Sequence, residues 1–134
     1  MAAGRYSFTI EQGATIDFEI VYKDSTGTPV DLTNYQARMQ IRNERTGSAD
    51  KYLTLTSSLN DDGTGLNMSG SSGTNPPESG SIGIFISAVT SSELNFVQGW
   101  YDLEIASGSG DSAIVTRLLE GVVQISQQVT TGSF

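Results

Sequence analysis

Residues 35–42, Tyr-Gln-Ala-Arg-Met-Gln-Ile-Arg, alternate apolar and polar side chains without a break. A strand sends successive side chains to opposite faces, whereas a helix of 3.6 residues per turn scatters both sets around its circumference. Period two therefore predicts a strand with Tyr35, Ala37, Met39 and Ile41 facing a core and Gln36, Arg38, Gln40 and Arg42 facing away. The same pattern recurs in Gly99-Trp-Tyr-Asp-Leu-Glu-Ile105, where Tyr101, Leu103 and Ile105 share one side. Ile16, Phe18, Ile20 and Tyr22 form a further set between Thr15 and Lys23.

Shorter runs fill the intervals. Tyr6 to Gln12, Val30 to Leu32, Tyr52 to Thr56, Leu66 to Met68 and Ser81 to Ser87 read as strands, and Ala113 to Ser126 as a long final one. Asp24-Ser-Thr-Gly-Thr-Pro29, Asp61-Asp-Gly63 and Ser107 to Asp111 read as turns. Thr90-Ser-Ser-Glu93 has the capping-box spacing, which predicts one short helix over residues 90–96. Residues 69–80, with Gly70, Gly73, Pro76 and Pro77, form a surface loop, because too little chain follows to build a second core. About eight strands and one helix in 134 residues predict an all-β fold of two packed antiparallel sheets in one domain, with residues 1–5 and 127–134 as arms.

Composition narrows the function. The chain has no cysteine and no histidine, which removes thiolate sites, the usual zinc ligand and the commonest general base. No cofactor or metal is expected. A net charge of −8 argues against nucleic acid as a partner. No apolar run approaches the roughly 20 residues that span a bilayer, and no signal peptide opens the chain, so a soluble protein made in a cytoplasm is expected.

The candidate chemistry is sparse. Asp61-Asp62-Gly63 lacks the spacing of a calcium loop and reads as a solvated turn. Asp102 and Glu104 share a strand face about 7 Å apart, a separation that suits paired carboxylates of a glycosidase. A solvated face is the favoured reading, with cross-strand pairs to Arg38 or Arg42 as the other alternative. Trp100 has the parity opposite to Tyr101 and faces outward. Such a residue serves as a cap on the end of a sandwich, an anchor in a protein interface or a platform for a sugar ring. On the last strand, Arg117 shares the parity of Val115 and Leu119, while Ile114, Leu118 and Val122 make a second apolar face. A strand apolar on both faces is covered twice or lies at a subunit contact, unless a bulge at Gly121 shifts the parity. Trp100, Ile114, Leu118, Val122 and Phe134 are therefore the candidate interface, and no catalytic residue is assigned.

Gly99-x-Tyr101-x-Leu103 is similar to the immunoglobulin-like strand that carries Gly-x-Tyr-x-Cys, with Leu103 at the cysteine position. The strings Tyr22 to Arg42, Tyr101 to Ile105, Val115 to Gly121 and Gln128 to Thr130 resemble small structural proteins of cyanophages and other tailed bacteriophages. They resemble the N-terminal domain of baseplate upper proteins more distantly. The resemblance implies an immunoglobulin-like β-sandwich in the virion, without enzymatic activity, working in assembly or attachment at the tail, baseplate or fibre. It implies multi-copy assembly with other phage structural proteins. Asn34 stands where the family often has glycine. Capsid decoration is the alternative role, and a carbohydrate-binding module for a host glycan the alternative class. The segment 127–134, ending in Phe134, suits strand addition to a neighbour.

Overall fold

The computed structural model describes residues 3–108, 110–132 and 134. Among these residues nine strands run in order: β1 (Gly4–Arg5), β2 (Phe8–Glu11), β3 (Ile16–Val21), β4 (Tyr35–Arg42), β5 (Lys51–Thr56), β6 (Gly65–Asn67), β7 (Ser81–Ile86), β8 (Gln98–Ser107) and β9 (Ile114–Ser126). Among the described residues one α-helix, α1 (Ala88–Ser92), links β7 towards β8. The larger sheet is ordered β1-β9-β8-β4-β5, with β2 also on β9, and the smaller one β3-β7-β6. This is an all-β sandwich of two sheets, with the Tyr101 strand, β8, central in the larger one.

The period-two residues fill the space between the sheets. Met39, Ile41, Leu103 and Ile105 from one sheet and Leu66, Ile82, Ile84 and Ile86 from the other belong to one buried cluster. Phe8 packs edge-on to both Phe18 and Tyr101, each with ring centroids 5.3 Å apart, and so bridges the sheets near the β1–β2 edge. Aromatic pairs prefer such tilted contacts because ring edges are positive and ring faces negative.

Three features depart from the sequence reading. The expected 1–5 arm and 6–12 strand supply β1 and β2, which pair with β9 in parallel, so the larger sheet is mixed rather than purely antiparallel. Gly4 and Arg5 are thus sheet residues; residues 1 and 2 of that expected arm lie outside the described residues. The helix is Ala88–Ser92, not 90–96: its N-cap is Ser87, whose Oγ accepts from the Thr90 backbone N–H at 3.1 Å. Thr90 already lies inside the helix, and its hydroxyl donates to Asp62 at 2.8 Å. Near residue 30, only a single bridge between Lys23 and Pro29 forms, together with Val30 N–H to the Tyr22 carbonyl.

The 69–80 loop folds back over the outer face of the smaller sheet. Glu19 on β3 accepts from Ser71 N–H at 2.9 Å and lies 3.4 Å from Asn75 Nδ2. A Cβ on Gly83 of β7 would stand 2.6 Å from the Ser71 nitrogen, so that glycine admits the loop backbone onto the sheet. Ser81 and Gly83 are buried as a result.

Candidate functional site: a charged groove on the larger sheet

Cross-strand register sorts the outer face of the larger sheet into rows. Arg42, Trp100 and Val122 are neighbours in one row. Gln40, Asp102, Glu120 and Arg5 make the next, and Arg38, Glu104 and Arg117 a third. The β4–β5 loop, through Glu44 to Gly47, walls one side. Together they line a groove of about 500 Å³.

All five arginines of the chain (Arg5, Arg38, Arg42, Arg45 and Arg117) line this groove, with the four carboxylates Glu44, Asp102, Glu104 and Glu120. Five guanidiniums against four carboxylates leave the groove at +1. The remainder, with two lysines and eleven carboxylates, carries −9 within the total of −8.

The pairing inside the groove is uneven. Arg38 Nε donates to Glu104 Oε1 at 2.8 Å, the expected cross-strand pair. Asp102 meets Arg117 at 3.5 Å rather than Arg38 or Arg42. Glu120 is shared by Arg45 at 3.6 Å and Arg117 at 3.7 Å. Burial among its neighbours, and next the Glu104 charge, push the Asp102 carboxyl above its ordinary range despite Arg117. The exposed Arg117 guanidinium at 3.5 Å is too weakly coupled to reverse those two effects. Among the described residues, Arg5 and Arg42 have no carboxylate within 4 Å. Arg42 instead donates to the Ala49 carbonyl at 2.5 Å and to Gln40 Oε1 at 2.8 Å, neutral acceptors that leave its charge uncompensated.

The sequence-derived candidates do not assemble on one surface. Trp100 and Val122 stand side by side in the groove. Leu118 is buried, because β9 bulges there: Leu103 pairs with Leu119 and Glu104 with Arg117, so Leu118 is the extra residue. The bulge reverses the parity of β9, and it falls at Leu118 rather than Gly121. It sends Arg117 to the outer face with Glu104 and places Ile114, 70% exposed, in the opposite phase to Val122. The second apolar face expected for Ile114, Leu118 and Val122 therefore does not exist. Phe134 is fully exposed, away from regular structure. Its segment touches the body at Gln128, whose N–H donates to Gln12 Oε1 at 2.9 Å.

Asp61 and Asp62 lie in the turn before β6, with Gly63 at φ 88°. Asp62 is an internal tie. Its Oδ2 accepts from the hydroxyls of Ser87 at 2.5 Å and Thr90 at 2.8 Å, and its Oδ1 from Thr64 N–H at 2.9 Å. Those donors hold its carboxyl far below the ordinary range, Ser87 contributing most.

Arg38, Arg42 and Trp100 were readable as outward from parity. Arg5 and Arg117 were not: Arg5 reaches the groove through a parallel pairing 115 residues away in the chain, and Arg117 through the bulge. Compared with known proteins, the sequence matches no family model and no curated protein. No helix among the described residues is long and apolar enough to cross a membrane.

Proposed function

We propose that the chain is a non-enzymatic structural protein of a tailed-phage particle, present in several copies, that mediates assembly or attachment in the tail, baseplate or fibre region. The strand-and-turn strings from Tyr22 to Arg42 and from Tyr101 to Gly121 supply the phage reading. The observation that carries the assembly reading is the inequality of the two outer sheet faces. One is covered by the chain's own 69–80 loop, and the other holds an open groove with every arginine and the one tryptophan. Tryptophan and arginine are the residues most enriched where proteins bind each other tightly.

Trp100 beside Asp102 and Glu104 also favours a second reading, a platform for a glycan ring with carboxylates placed for its hydroxyls. Purified particles of the encoding phage separate the possibilities. A tail, baseplate or fibre role gives copies in small multiples of three or six per particle, and capsid decoration gives hundreds. Absence of the chain from particles overturns the structural reading. Glycan-array binding that Trp100→Ala abolishes would replace it with carbohydrate recognition.

A further inference from the structure

We propose that the groove receives an extended segment of a second protein bearing acid-x-apolar-x-acid. The inference rests on the reading of the chain as an assembly module and names the chemistry of its partner. Its basis is the placement of the two uncompensated guanidiniums. Arg42 is on β4 and Arg5 on β1, with β8 and β9 between them. Three inter-strand steps and the one-row offset of Arg5 put their backbone positions about 16 Å apart. An extended chain crossing the strands advances about 3.4 Å per residue, so side chains four residues apart on one face span about 14 Å, a gap that the long arginine side chains close. One carboxylate then meets Arg42 and the next meets Arg5. The residue midway lies beside Trp100 and Val122, which continue the Arg42 row across β8 and β9, on the side towards Asp102 and Glu120.

The groove's own carboxylates select among anions. Asp102, Glu104 and Glu120 stand on the middle strands β8 and β9, between those of Arg42 and Arg5. They repel a continuous polyanion, whereas a segment with separated acids avoids them. A second copy of the chain does not supply the segment: no two of its fifteen acidic residues stand four apart.

The test uses the full chain and fluorescein-labelled Gly-Ser-Glu-Thr-Leu-Thr-Glu-Ser-Gly, read by fluorescence anisotropy. The glutamate peptide should bind about tenfold tighter than its Gln counterpart and weaken with added salt, as two exposed charge pairs dictate. Arg5→Gln and Arg42→Gln should each cost about two- to fivefold, with unchanged melting temperature, and a peptide with adjacent glutamates should bind less well. Equal affinity for the Glu and Gln peptides, including no binding of either, overturns the inference. Tighter binding of poly-glutamate that ignores spacing overturns it in favour of a polyanion. Particle analysis separates this failure from the other: a chain present in particles but indifferent to the peptides loses the segment and keeps its structural role. A chain absent from particles loses that role whatever the peptides do.

Discussion

Asp62 joins the turn before β6 to the start of α1 through three donors, and its ionised form is the one they hold. A carboxyl depressed on folding stabilises the fold above its unfolded value, and the contribution is lost as pH falls through the folded one. Asp62 starts from an ordinary 3.8 and is shifted far down, so the loss begins near pH 4 and continues below pH 2. Asp62→Asn should therefore melt several degrees lower than wild type at pH 7, with the gap narrowing steadily below about pH 4. Calorimetry across that range checks it; a constant gap from pH 7 to 2.5 contradicts the assignment. The sequence showed only Asp-Asp-Gly, a turn. That this carboxylate also sets where the helix begins depends on Ser87 and Thr90, which arrive 25 and 28 residues later.

Among the elements, β9 shows what pattern reading reaches and where it stops. Its length and its pairing with β8 follow from the alternation of Trp100 to Ala106 and the turn that precedes it. Its parity does not, since an extra residue in one strand is visible only against the strand it pairs with. Gly121 has a separate task. A Cβ there would stand 2.1 Å from the Tyr6 carbonyl oxygen and 3.2 Å from the Tyr101 ring. The bare backbone lets the N-terminal segment cross, and the Tyr101 hydroxyl donates to that same carbonyl at 2.6 Å. Gly121→Ala should cost about 1–3 kcal/mol in chemical denaturation, the scale of forced overpacking. Gly4→Ala, whose Cβ would meet the flexible Leu119 Cδ2 at 3.3 Å, should stay within about 0.5 kcal/mol. Comparable losses at both sites would show that the N-terminal strand does not lie where β1 and Tyr6 place it.

At the scale of the molecule, charge divides into a groove near balance and a strongly acidic remainder. Uniform acidity favours solubility and keeps copies apart, so approach of a partner is least opposed at the groove. Side chains at such a surface contribute little to folding. Trp100→Ala combined with Arg42→Gln should therefore shift stability by no more than about 1 kcal/mol, and under the proposed assembly role should sharply reduce incorporation into particles. An equal fall in folding stability and incorporation would assign these residues to the fold instead. Parity placed Trp100, Arg38 and Arg42 outward because strand side chains alternate locally, within a few residues. The core set of Tyr35 to Ile41 and Tyr101 to Ile105, the two-sheet class and the absence of His and Cys chemistry were likewise determined by the sequence alone. Tertiary structure decided the parallel seating of β1 and β2, the bulge at Leu118, the loop that shields one sheet and the gathering of five arginines on the other. Each of these turns on contacts between residues a dozen or more positions apart, and local periodicity carries no record of which strands will be neighbours or in what register.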